Sequence, residues 1–400
     1  MPSGLAAVPL RHAGLLALAI SFAAAALLPA AARAESPPLL EALAQIPSDA
    51  AIHGDRRVVD IVDVAALRQI TGVADGLRLA DLKALPEAEE ALVMQLLFRI
   101  TSGAEFPQYL SFGAPSWPER LGADFLALSW FSQPGTPPGN LLLLGGETIG
   151  AGDSLRALEA LGFAPQERDG ETVWVKGERD AALEVGNREP GFPFWGQLGA
   201  NARLFRSDAA LVGARTWPSI VLAMAVAAGE AESLADLPHF RLAAEAAADP
   251  TLSEGPVLQM AFVDEAFGKG VLGMAPVPDG LPPFDLYAFA DREDASGHQV
   301  VMVLTYHDAP AAETASALLA ERLPLYRPGG KESLAERFPG LKAEASAFGS
   351  EAGVAAVVRL STPPEPALDE TGRLQNRSRL YRLLYLMLLK RDLGFLSVAE

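Results

Sequence analysis

Residues 284–290 (FDLYAFA), 291–297 (DREDASG) and 299–306 (QVVMVLTY) carry the clearest fold signal in the chain. Two runs rich in aromatic and β-branched residues, separated by a polar segment that ends in glycine, predict strands at Phe284–Ala290 and Gln299–Tyr306 joined by a hairpin loop. A helix is expected from Ala311 to Leu325, with Leu318, Leu319 and Leu323 on one side and Asp308 as its N-cap. Ser333 and Glu336 have capping-box spacing for a short helix. A second hairpin covers 343–360, turning near Ser350 and Glu351.

A similar order stands earlier in the chain. Phe125–Phe131 and Asn140–Leu144 flank the turn Pro134–Gly139, a helix runs from Ser154 to Leu161, and a strand covers Thr172–Lys176. Around these, strands are expected at Arg57–Val64, Arg203–Phe205, Ala209–Val212 and Val257–Val263. Helices are expected at Ala88–Ile100 and at Trp217–Ala228, where Pro218 suits the first turn. The expected fold is therefore α+β, with two related modules, each a mainly antiparallel sheet with helices on one side, plus a C-terminal helix. The boundaries follow as 35–230 and 231–365 for the modules and 366–400 for a linker and final helix. Only the order of elements relates the two halves, and α+β chains also reach that order by chance.

Residues 1–34 read as a secretory signal peptide. Arg11 and His12 precede an apolar run, Ala13–Ala32, that ends in Ala32-Arg33-Ala34, so cleavage is expected after Ala34. A retained anchor is the alternative, since twenty apolar residues can span a bilayer. Pro29 and the abundance of alanine favour removal. The expected location is the periplasm.

Composition excludes several chemistries. The chain has no cysteine, which rules out thiol catalysis, thiolate metal sites and thiol redox switching. Its formal charge is −18, and about −20 once Arg11 and Arg33 leave with the leader. So acidic a balance argues against nucleic acid as a partner.

The motifs that suggest chemistry are weak. Gly145–Ser154 follows a strand and opens a helix, but Asp153 stands where a phosphate loop needs lysine. His53, His239, His298 and His307 form no metal-ligand spacing, and His298 and His307 fall on opposite faces of one strand. No nucleophile-elbow motif is present. Asp291, Glu293 and Asp294 cluster around Arg292 without the spacing of a calcium loop, and read as a solvated hairpin tip. No metal and no cofactor are expected.

Two segments suggest binding. Phe192, Phe194 and Trp195, bracketed by Gly191 and Gly196, could stack on a ligand or fill a partner's pocket. They could equally fold down as a lid over the apolar helix at 217–228. Near the C-terminus, Arg377, Arg379, Arg382, Lys390 and Arg391 surround an apolar stretch, Leu383–Leu389, with no acid among them. This segment could meet anionic lipid or an acidic partner, or dock as the last helix of the core, its bases answering the protein's own charge. The expected function is an exported envelope protein, a non-enzymatic binding or accessory factor whose partner is another envelope protein. The alternatives are a periplasmic hydrolase whose site assembles only in space, and a peripheral membrane protein docking through its C-terminal helix.

Overall fold

The computed structural model describes residues 38–54, 57–101, 114–146, 149, 153–184, 186, 188–252, 255–264, 277–364 and 378–399. Among them twelve strands join in one sheet, and every pairing between these strands is antiparallel. In chain order the strands are β1 (Arg57–Asp63), β2 (Trp130–Ser132), β3 (Leu141–Gly145), β4 (Ala164–Arg168), β5 (Glu171–Lys176) and β6 (Ala202–Arg206). They continue as β7 (Ala210–Ala214), β8 (Val257–Asp264), β9 (Leu286–Asp294), β10 (Gly297–Tyr306), β11 (Lys342–Ser350) and β12 (Gly353–Thr362). The helices are α1 (Pro38–Ala44), α2 (Ala50–His53), α3 (Val64–Thr71), α4 (Glu87–Arg99), α5 (Trp117–Leu121) and α6 (Asp153–Ala160). After them come α7 (Trp217–Ala227), α8 (Pro238–Ala248), α9 (Ala309–Leu325), α10 (Leu334–Arg337) and α11 (Arg379–Lys390).

The α+β class and the antiparallel pairing are as the sequence leads one to expect. The two halves share one sheet rather than standing as two, because β1 pairs with β2 on one side and β8 on the other. The strand order is β11-β12-β10-β9-β8-β1-β2-β3-β7-β6-β5-β4, so strands from 130–214 fill one end and strands from 257–362 the other. The halves follow a common rule. A helix leaves the sheet after β3 or β10, the chain re-enters at the outer edge, and it winds back to lie beside the strand that preceded the helix.

Helices cover both faces of the sheet, not one. On one face Val59, Ile61, Leu143, Val212, Met260, Phe262 and Val303 lie under α1, α7 and α8. On the other, Val62, Phe131, Leu144 and Leu211 lie under α3 to α6, while Val263, Phe289, Met302 and Val358 lie under α9 to α11. Strands enclosed from both sides read as continuous apolar runs rather than alternating ones. Leu141–Leu144 and Val300–Leu304 show that pattern, and all ten residues of β10 are buried. The outer strand β4 is fully exposed and carries Pro165, Glu167 and Arg168, residues that discourage further pairing.

Local chemistry sets the helix ends. Asp308 caps α9 by accepting from the Ala311 amide at 2.9 Å. Ser333 and Glu336 form the expected reciprocal box at α10. Two expectations shift. Phe125–Ala127 is a single 3₁₀ turn, with the strand confined to Trp130–Ser132. Strand β9 runs on to Asp294, through what reads as a polar loop.

Candidate functional site

The aromatic loop is not a surface. Phe192, Phe194 and Trp195 are all buried. Phe163 and Phe192 lie 5.5 Å apart and Phe192 and Phe194 5.6 Å apart, ring centroid to ring centroid. They belong to the cluster with Leu158 and Leu204, on the sheet face opposite α7, so they are neither exposed rings nor a lid over that helix. Glycine makes the room. A Cβ on Gly213 of β7 would sit 2.1 Å from a carbon of the Phe194 ring.

The supposed solvated tip is also interior. Asp291, Arg292 and Glu293 are buried in β9, with side chains on alternate faces. Arg292 turns toward α8 and donates to the carbonyl of Ala247 in its last turn and to that of Gly255, two residues before β8. Asp291 faces the other way. Its carboxylate accepts from Arg99 Nη2 at 3.0 Å and Nε at 3.2 Å, Gln259 Nε2 at 2.8 Å, His298 Nε2 at 2.7 Å and the Ser378 hydroxyl. Arg99 also pairs with Glu293. Burial alone would raise the Asp291 pKa. The charges of Arg99 and His298, with their hydrogen bonds, outweigh it and hold the carboxyl well below the usual carboxylate range. One carboxylate thus ties together the end of α4, strands β8 and β10, and the residue that precedes α11.

The remaining histidines are dispersed. His53 is buried in α2, its Nε2 2.9 Å from the Pro47 carbonyl oxygen, and burial pushes its pKa down to about 4. His239 lies 3.4 Å from Asp264, which Arg57 engages at 2.6 Å. His307 is exposed and 3.3 Å from Asp285. Among the described residues no three such side chains converge as metal ligands would.

Helix α11 carries the exposed candidate residues. Its inner face, Leu380, Tyr381, Leu384, Tyr385 and Met387, is buried against Phe289 and its neighbours, with the Phe289 and Tyr381 rings 5.1 Å apart. The Tyr385 hydroxyl donates to Asp60 of β1 at 2.7 Å. Beyond the helix, Leu281 and Ser397 exchange backbone contact, with Leu281 N donating to Ser397 O at 2.8 Å and Ala399 N donating to Leu281 O at 2.8 Å. The helix is therefore held at both ends and docked along one side.

The opposite side faces out. Arg379, Arg382, Leu386, Leu389 and Lys390 are exposed, with Leu386 at 40% and Leu389 at 57%. At 100° per residue these five fall within an arc of about 100°. Arg391, just past the end, is also exposed. Core docking and an outward basic face coexist on one helix, which is amphipathic rather than apolar all round. Arg377 lies outside the described residues, as do the leader and its cleavage site. Sequence reading anticipated the bases of this face but not Arg99, whose place in the Asp291 cluster depends on chain 192 residues away.

No family model matches the chain, and no curated protein matches it. Among solved structures it is similar to two crystal forms of TP0453, at 9% identity in each case. Form III gives a TM-score of 0.31 over 78% of this chain and 92% of that one. Form I gives 0.33 over 84% and 96%. A likeness at that level carries no argument about fold or function.

Proposed function

We propose that the chain is an exported binding or accessory factor of a bacterial cell envelope, and that it works by docking through the outer face of α11. The observation that carries this reading is the pairing of Leu386 and Leu389 with Arg379, Arg382 and Lys390 on the exposed side of a helix whose other side is buried, with exposed Arg391 just beyond its end. Exposed leucines standing singly are ordinary, but leucines one turn apart and flanked by bases form a patch with a chemical character. In a chain of net charge −18 that character is the opposite of the average surface. The order of charged, apolar and small residues at 1–34 supports export.

The test has two readouts. N-terminal sequencing of the protein recovered from cells should begin at Glu35. Fractionation should find the protein with the envelope, and a quadruple variant, R379E/R382E/K390E/R391E, should be released from it. A variant that partitions like the parent would sink the docking role, and an intact leader on cytosolic protein would sink export.

A further inference from the structure

We propose that the outer face of α11 seats on an anionic phospholipid surface, with the helix axis lying in the plane of the interface. This rests on the docking reading above and names its occupant. Along the helix the exposed side chains run Arg379, Arg382, Leu386, Leu389, Lys390, followed by Arg391. Bases therefore bracket the two leucines from both ends. A helix lying flat at an interface presents the same arrangement, with apolar side chains entering the acyl boundary and long basic ones reaching phosphates on either side.

The shape favours lipid over a protein pocket. A stripe on the outside of a docked helix is convex, and its five side chains are all flexible and contain no aromatic anchor. Protein hot spots are well-packed pockets filled chiefly by Trp, Tyr and Arg; this ridge offers arginines but no aromatic ring, and being convex it forms no pocket around them. A fluid headgroup layer needs no such complementarity. The net negative charge of the body is no obstacle, because at physiological salt charges beyond about 8 Å are largely screened and the basic stripe is what meets the surface. From Arg379 to Arg391 the sequence itself carries bases and no acid. The buried inner face, with Tyr385 joined to Asp60 and Leu281 to Ser397, keeps the helix on its own sheet. Contact is accordingly shallow and reversible, and among the described residues no helix is long and apolar enough to cross a membrane.

Flotation of the chain from Glu35 onward with vesicles tests this. The described unit begins at Pro38, so this chain contains the whole of it. Binding is expected to vesicles rich in phosphatidylglycerol, not to pure phosphatidylcholine, and it should weaken as salt rises. Each base replaced by glutamine should lower affinity about fivefold. L386S/L389S should lower it about tenfold or more while leaving the salt dependence in place. All these side chains are exposed, and an unchanged melting temperature confirms that the variants fold. Absence of binding to phosphatidylglycerol at low salt, or binding undiminished in the quadruple charge variant, overturns the lipid assignment. Should the quadruple variant leave the envelope in cells while the parent fails to bind vesicles, docking stands and its partner is an acidic protein.

Discussion

The guanidinium of Arg99 lies 3.0 Å from the carboxylate of Asp291, both side chains almost completely removed from water, at the boundary between two apolar clusters. Burying two charges costs several kcal/mol each, and their attraction repays it only where further hydrogen bonds complete the shell. Here Gln259, His298, Glu293 and Ser378 complete it. The cluster behaves as a joint, since α4, the sheet and the start of α11 all meet at one carboxylate. Removing the cation leaves Asp291 and Glu293 facing each other without it. Arg99→Met is expected to cost about 3–5 kcal/mol in a denaturant titration. A loss under 1 kcal/mol would mean that the acids are hydrated in place and that the joint does not hold the fold.

Ser378 offers a milder probe of the same joint. Its hydroxyl reaches Asp291 across 87 residues of chain and anchors the start of α11. Hydrogen bonds to charged acceptors contribute about 1.5–3 kcal/mol. Ser378→Ala should therefore lower stability by about that amount and speed amide hydrogen exchange in the first turn of α11 ahead of its last turn. Uniform exchange along the helix would show that its docked side, not its anchor, sets its stability.

What could be seen in advance follows from what is local. Hairpins at Gly297 and near Ser350, the caps at Asp308 and Ser333, and the apolar runs of β3 and β10 are encoded within a few residues, and they appear where the sequence places them. The polar run at Asp291–Asp294 misleads because a buried carboxylate in a strand looks like a loop until its counterion is known, and Arg99 is supplied by a distant helix. Phe192, Phe194 and Trp195 mislead for a related reason. Glycines usually mark an exposed turn, but here Gly213 opens a socket in β7 that receives a ring from another segment. The outward bases of α11 were legible as charges. Which of its leucines face water depended on which side the sheet takes.

That socket gives a direct test of the aromatic loop. Gly213→Ala would place a methyl group 2.1 Å from the Phe194 ring, inside van der Waals contact with a side chain that is fully buried, and close to Leu204 as well. Overpacking of this kind costs about 1–3 kcal/mol. Phe194→Ala, which empties the socket, should cost about 3–5 kcal/mol. Combining the two should relieve the clash, so the double variant loses less than the sum. Strict additivity in equilibrium unfolding would show that ring and glycine do not meet.

Acid titration should separate two buried groups that oppose each other. Burial is the largest influence on both, lowering the His53 pKa to about 4 and raising that of Asp63 to about 6, although Asp63 accepts from the Ala66 amide at 2.7 Å. For His53 the unfolded chain binds the extra proton, so its contribution is present above pH 6.5 and is lost as pH falls toward about 4, by roughly 3 kcal/mol. For Asp63 the folded chain holds the extra proton, so stability is gained as pH falls from about 6 to about 4, by a similar amount. In the parent protein the two contributions nearly cancel across that window. Asp63→Asn keeps a capping side chain and removes the second, so its stability should drop more steeply than the parent's between pH 6.5 and 4. His53→Gln removes the first, and relative to the parent its stability should climb as pH is lowered from 6 to 4. Urea midpoints measured at half-unit pH steps read both slopes. Parallel curves for parent and variants would place these two side chains in water rather than in the interior.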